Sequence, residues 1–172
     1  LASRHQRKAR VIQNFFAPEI RHRYNTYDNR GNYIISVANG FGRLKNIRSA
    51  LQAFAHLRCA NPHIVYRVVG EDMGPGGAAE RYARETGIAD GVEFLGRLPH
   101  GQMLDLLRNA KLMLHSSMEE SFGMSVLEAM VVGTPVVGGI RSGNIPSLLD
   151  HGKAGVLCDV SEPVDIAKAM SE

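Results

Sequence analysis

The fold is decided by the stretch KLMLHSSMEESFGMSVLEAMVVGTPVVGG, residues 111–139. Its first part, residues 111–117, is a short apolar run of the kind found in buried strands. Residues 123–133 follow with an apolar helical pattern that begins and ends at a glycine, and residues 134–139 form a second apolar run. A strand, a helix and a strand in immediate succession predict two parallel strands joined by a crossover helix.

The same alternation extends outward from this unit in both directions. We predict further strands at residues 33–38, 63–70, 92–96 and 154–159, and further helices at residues 47–58, 78–87, 100–110, 145–152 and 162–172. The sequence therefore predicts an α/β fold, a Rossmann-like parallel six-stranded sheet with helices on both faces. Ligands of such sheets bind outside the carboxyl ends of the strands, so a site is expected in the loops that follow them.

The size and composition fit one globular domain. The chain has 172 residues, of which 44% are hydrophobic and 22% charged, close to an average soluble domain. Residues 31–172 are predicted to form this domain, and residues 1–30, which lack clear periodicity, a connector or entry segment. No apolar run approaches the roughly 18 residues that a membrane-spanning helix needs.

The net charge of +3 conceals an uneven distribution. Residues 1–23 hold six Lys or Arg against one acidic residue, whereas the rest of the chain holds 14 basic and 16 acidic residues. A nucleic-acid partner is therefore not expected for the domain. Three roles stay open for the basic segment: a solvated connector, contact with anionic lipid at the inner membrane face, or contact with another domain.

The two cysteines, Cys59 and Cys158, lie too far apart in the sequence for a zinc motif or a disulfide framework. Both are predicted to be small buried side chains. Free thiols are typical of a reducing compartment, so a cytoplasmic location is expected.

The candidate site lies where the helix of the central stretch begins. Gly123 opens that helix, and the unpaired backbone N–H groups of a helix start attract anions. Glu120 lies just before the helix and Glu128 lies within it, where each carboxylate is able to accept hydrogen bonds from sugar hydroxyls. Surface charge is the alternative for both, but the apolar neighbours of Glu128 indicate that its carboxylate needs a partner or a ligand.

The segment ESFGMSVLEAMVVGTPVV resembles the Glu-x7-Glu signature of family 4-type retaining glycosyltransferases, the glycosyl transferases group 1, which have the GT-B fold. The resemblance continues through VEFLGRLPH, KLMLHSS and HGKAGVLCD and covers residues from about 33 to 172. It implies that Glu120 contacts the donor sugar, that Glu128 contacts the ribose, and that the amides of Phe122, Gly123 and Met124 bind the diphosphate.

The resemblance also implies cations in the loop ANGFGRLKN, residues 38–46, where the family has an Arg and a Lys that clamp the phosphates. Lys45 matches the lysine. The position expected for the arginine holds Gly40, which departs from the pattern, and Arg43 is the substitute that the loop offers. Plain charges at a helix entry are the alternative for Arg43 and Lys45.

Three other segments matter to the resemblance. SGNIPSLLD, residues 142–150, lacks the glutamate that the family often has there, and Gly143 and Asn144 remain candidates for the donor pocket. Arg97, in the FLGRLP turn, is a candidate for the edge that binds the base. His115 is predicted to be a packed residue at a strand end.

The resemblance implies the donor-binding half of a retaining enzyme that moves a hexose-type sugar from a nucleoside diphosphate sugar to an unknown acceptor. No metal and no cofactor are expected, and the N-terminal acceptor domain is expected to be missing from this chain, which alone should be inactive. The alternatives are a catalytically inactive nucleotide-binding or partner-docking module and a related GT-B epimerase. A dinucleotide-dependent dehydrogenase is disfavoured because no G-x-G-x-x-G follows the first strand.

Overall fold

The computed structural model describes residues 30–172. The six strands are β1 (Tyr33–Val37), β2 (Val65–Val69), β3 (Val92–Gly96), β4 (Leu112–His115), β5 (Val136–Gly139) and β6 (Val156–Cys158). The helices are α1 (Ile47–Ala60), α2 (Ala78–Glu85), α3 (His100–Asn109), α4 (Met124–Val131), α5 (Ile145–Leu148) and α6 (Pro163–Ala169), with a 3-10 turn at Asp150–Gly152. The connector predicted at residues 1–30 lies, except for its last residue, outside the described residues.

The strands form one parallel sheet in the order β3-β2-β1-β4-β5-β6, as predicted for a Rossmann-like fold. The strand order reverses between β1 and β4, which are neighbours in space but lie far apart in the chain. A crevice opens at the carboxyl ends of two such strands because their connections leave in opposite directions.

Each face of the sheet carries its own hydrophobic core, because successive side chains of a strand point to opposite faces. Ile34 and Leu114 pack against α1, α2 and α6 on one face. Ile35 and Met113, their direct neighbours in the chain, pack against α3, α4 and α5 on the other. Helices therefore cover both faces, which explains why the central strands are continuous apolar runs.

The predicted elements agree with the observed ones to within three residues at each end, apart from the helix predicted at residues 145–152. That segment divides into α5 and the 3-10 turn because Asp150 and His151 both have positive φ, 43° and 52°. A left-handed residue cannot continue an α-helix. Among residues 30–172 no helix is both long and apolar enough to cross a bilayer.

The prediction for the cysteines was wrong for Cys59, which lies exposed near the end of α1, whereas Cys158 in β6 is half-buried. Cys59 lies at the edge of the apolar face of α1. The helical periodicity of the sequence does not show on which side of that edge a residue near the last turn lies.

The two thiols should differ in reactivity. Burial raises the pKa of Cys158 to about 11, with further contributions from the carboxylates of Asp165, Asp159 and Glu172. Because the thiolate is the reactive form, DTNB in native buffer should label Cys59 rapidly and Cys158 slowly. Time-resolved absorbance should show a fast phase that disappears in Cys59→Ser, and a fast phase that survives in this variant would contradict the assignment.

Candidate functional site

A cleft of about 370 Å³ opens at the carboxyl ends of β1 and β4, where the strand order reverses. It falls within the size range of small-molecule sites in proteins. The lining residues are Val37, Ala38, Asn39, Lys45, His115, Ser117, Glu120, Ser121, Phe122, Gly123, Met124, Ser125 and Glu128. Five come from β1 and its loop or the end of β4, and the remainder from the loop after β4 and the start of α4.

Two loops that form the cleft are tied together by hydrogen bonds. The Ser116 hydroxyl donates to the backbone carbonyl of Lys45 at 2.9 Å, and the N–H of Met118 donates to the carbonyl of Leu44 at 2.7 Å. The loop after β1 is thus held against the loop after β4. This contact places the Lys45 side chain over the cleft.

Lys45 and Glu120 form an ion pair across the cleft, with Nζ 3.0 Å from Oε2. Burial by itself would raise the pKa of Glu120. The hydrogen bond and positive charge of Lys45 outweigh this effect, helped by His115 and the backbone of Phe122, so the pKa is lowered. Glu120 is therefore a carboxylate at neutral pH, able to accept hydrogen bonds.

His115 ends β4 beneath this ion pair and is buried, with Nε2 3.7 Å from Glu120 Oε2. Burial lowers its pKa more than the nearby carboxylate raises it, so the imidazole is neutral at physiological pH. Among the described residues its Nδ1 has no hydrogen-bond partner. The prediction of a packed strand-end residue is confirmed, although the same side chain also lines the cleft.

Gly123 precedes α4 with φ of +92°, a left-handed conformation that suits glycine. A Cβ at this position would lie 2.6 Å from Ile145 Cδ1, on the side that packs against α5. The backbone conformation therefore favours glycine here, whereas the overlap falls on the flexible end of a side chain. Phe122, Gly123 and Met124 all line the cleft. A ligand in the cleft would therefore reach the helix start that was predicted to bind an anion.

Glu128 lies one turn into α4 and also lines the cleft, with 14% of its side chain exposed. The partner that sequence reasoning asked for is His100, the first residue of α3, whose Nε2 lies 2.8 Å from Glu128 Oε1. His100 was not among the predicted site residues. The signal for it was its position, since it follows the loop at the carboxyl end of β3.

Five predicted site residues lie outside the cleft lining. Arg43 and Gly40 belong to the loop after β1, where Arg43 is exposed and the N–H of Gly40 donates to the carbonyl of Glu71. Arg97 is exposed and forms an ion pair with Glu71 at 2.9 Å. Roles for these residues in donor binding stay predictions.

The fourth and fifth, Gly143 and Asn144, lie against the loop that carries Glu120. Gly143 has φ of +57°, and a Cβ there would lie 2.1 Å from the backbone oxygen of Glu120. The next residue, Asn144, donates its N–H to that oxygen at 3.0 Å and its side-chain amide to the carbonyl of Phe122 at 3.3 Å. The turn at residues 142–144 therefore determines where the Glu120 loop lies.

The cleft thus combines two carboxylates, a lysine ammonium and the start of a helix. A ligand with both hydroxyl and anionic groups matches these features, since carboxylates accept from hydroxyls and the ammonium and helix start attract anions. Within residues 30–172 no group of three or more His, Cys, Asp or Glu is arranged to hold a metal ion. The expectation of transfer without a metal stays a prediction.

Comparison with known proteins gives consistent results. The sequence model of the family described as glycosyl transferases group 1 matches residues 18–172. A D-inositol 3-phosphate glycosyltransferase of Corynebacterium jeikeium is 35% identical over 145 residues, covering 81% of this chain and 34% of the relative. The chain spans about a third of the length of the curated relatives that it matches.

Solved structures also share the fold, and two of them serve as examples. HepE of Anabaena, in complex with UDP-glucose, superposes with a TM-score of 0.68 at 24% identity, covering 81% of this chain and 38% of that one. The C-terminal domain of a glycosyl transferase group 1 family protein, LpcC of Francisella tularensis, has a TM-score of 0.66 at 18% identity. The match covers 90% of this chain and 82% of that domain, which was solved by itself.

Proposed function

Because this chain belongs to the glycosyl transferases group 1 family, we propose that it binds the nucleoside diphosphate sugar of a retaining transfer. The transferred group is a hexose-type sugar, and the acceptor binds largely outside this chain. One observation carries the proposal: Lys45, Glu120, Glu128 and the start of α4 all line a single cleft at the strand-order reversal.

Each group has a role that follows from its chemistry. The diphosphate lies at the start of α4, where free N–H groups and the helix dipole favour negative charge, and Lys45 adds an ammonium. Glu120 accepts from hydroxyls of the sugar, and Glu128 accepts from the vicinal diol of the ribose. The 3.0 Å ion pair between Lys45 and Glu120 holds both side chains at the cleft before the ligand arrives.

In the transfer, the bond between the anomeric carbon and the diphosphate oxygen breaks, and the leaving nucleoside diphosphate takes the electron pair. The acceptor oxygen bonds to the same face of the anomeric carbon, and its proton passes to the oxygen of the leaving diphosphate. Charge grows on the leaving diphosphate, so the preorganised dipole of α4 and the Lys45 ammonium stabilise the transition state. No metal is needed for this neutralisation in our proposal.

The proposal assigns the acceptor site to an N-terminal domain beyond this chain. The relatives are about three times as long as the matched region, which supports a further domain. Half of the cleft is then absent, and the chain alone should bind a nucleotide sugar without transferring the sugar.

A catalytically inactive nucleotide-binding or docking module is the second candidate. It is favoured by Gly40, which stands where the family pattern has an arginine. Among residues 30–172, Lys45 is the one Lys or Arg side chain that lines the cleft. A weakened phosphate clamp would still bind nucleotide but would support transfer poorly even in a complete protein.

Calorimetric titration of the chain with UDP-, GDP- and ADP-glucose tests the proposal. We expect one of the three to bind at a single site, with an affinity that falls as salt is added because Lys45 contacts the phosphates. The control variant Lys153→Ala removes an exposed lysine outside the cleft lining and should bind like wild type. Absence of binding for all three sugar nucleotides would contradict the proposal.

A further inference from the structure

We propose that His100 is a positioning residue that holds the Glu128 carboxylate ready for the ribose, and thereby determines how strongly the site prefers ribonucleotides. This inference rests on the proposed function. The observation behind it is the 2.8 Å contact between His100 Nε2 and Glu128 Oε1, made between two helices.

The direction of this hydrogen bond follows from the partners. An ionised carboxylate only accepts, so the Nε2 of His100 donates to Glu128. The side chain of Glu128 is 14% exposed whereas that of His100 is 58% exposed. The carboxylate is thus fixed at the cleft wall by a ring that stands at the surface.

The contact leaves the carboxylate able to bind a diol. Two carboxylate oxygens offer about four acceptor sites, and His100 occupies one of them on Oε1. The remaining sites on Oε1 and Oε2 suffice for the two hydroxyls of a ribose. His100 and the ribose are therefore expected to bind the same carboxylate together.

The gain in binding affinity comes from ordering the Glu128 side chain before the ligand binds. A free glutamate side chain loses much rotamer entropy when one conformation is selected, and a ligand that selects it binds more weakly. His100 makes this selection in advance. The contact between α3 and α4, which share the core on one face of the sheet, holds the backbone of His100 close to Glu128.

If His100 acts through Glu128, its effect depends on the ribose hydroxyls and not on the diphosphate. This separates it from a residue that merely stabilises the fold, which would weaken all ligands alike. The measurement is therefore a comparison of the nucleoside diphosphate that binds in the titration, taken here as UDP, with its 2′,3′-dideoxy form, which keeps the base and diphosphate but lacks both hydroxyls.

We expect His100→Ala to weaken UDP binding about 3- to 10-fold, the effect of one hydrogen bond, and to leave dideoxy-UDP binding unchanged. His100→Gln should restore most of the loss, because its amide nitrogen donates in place of Nε2. In a Glu128→Ala background, the further change His100→Ala should have no effect on UDP. His56→Ala, a histidine exposed on α1, is the matched control and should bind like wild type.

Two results would overturn the inference while the proposed function stands. They are unchanged UDP binding by His100→Ala, and an equal loss for UDP and dideoxy-UDP. If wild-type protein binds none of UDP, GDP and ADP, the proposed function itself fails and the inference fails with it.

Discussion

Replacing Glu128 by alanine should weaken UDP binding by about 1–3 kcal/mol, which is roughly 5- to 150-fold in the dissociation constant. The carboxylate lies at the cleft wall with 14% of its side chain exposed, where water competes weakly for its acceptor sites. Hydrogen bonds from a diol to a charged acceptor are stronger than those between neutral groups. Calorimetry at fixed pH and ionic strength measures the change.

The fold should survive this substitution. Alanine suits a helix interior, and His100, which loses its partner, is exposed enough for water to replace the hydrogen bond. Glu119→Ala is the matched control, because it removes a carboxylate from an exposed position beside the cleft without touching the lining. Equal affinity of Glu128→Ala and wild type would remove Glu128 from the ribose role.

The fold could be predicted because each strand and helix is indicated by the pattern of residues within its own short segment. Each strand of the sheet is a short and mostly apolar run, and each helix except α5 shows its periodicity or its terminal Gly or Pro over seven or more residues. The segment at residues 145–152 was predicted less well. Asp150 and His151 have positive φ where the chain turns toward β6, and helical periodicity does not indicate positive φ.

Spacing alone could predict the candidate site only where its residues are close in the chain, whereas Lys45, which also lines the cleft, was predicted from the family resemblance. Glu120, Gly123 and Glu128 belong to one loop and one helix, and the structure brings all three to the cleft. His100 was missed because its contact with Glu128 joins residues 28 apart on different helices. Such a contact depends on how α3 and α4 pack, which sequence spacing does not determine.

Gly143 shows the opposite error, a residue that was predicted for the pocket but lies outside the cleft lining. The family resemblance of the segment SGNIPSLLD, residues 142–150, marks it as a candidate for the donor pocket. The structure places it against the backbone of Glu120, outside the cleft lining. Its contribution is to the position of the Glu120 loop, so its replacement should change both stability and binding.

We expect Gly143→Ala to lower the free energy of unfolding by about 2–5 kcal/mol. About 1–2 kcal/mol comes from forcing a residue with a Cβ into the left-handed conformation at φ of +57°. A further 1–3 kcal/mol or so comes from overlap, because the Cβ would lie 2.1 Å from a backbone oxygen that cannot rotate away. Urea denaturation measures the loss, and UDP titration of the folded variant measures the effect on the cleft.

Gly87→Ala separates the two causes. Gly87 has a similar positive φ of +72°, but a Cβ there would meet no atom within 4 Å. It should therefore lose only the conformational contribution, about 1–2 kcal/mol, and keep its affinity for UDP. The excess loss in Gly143→Ala then measures the overlap with Glu120. If the two variants lose equal stability and bind UDP equally, the turn at residues 142–144 does not position the Glu120 loop.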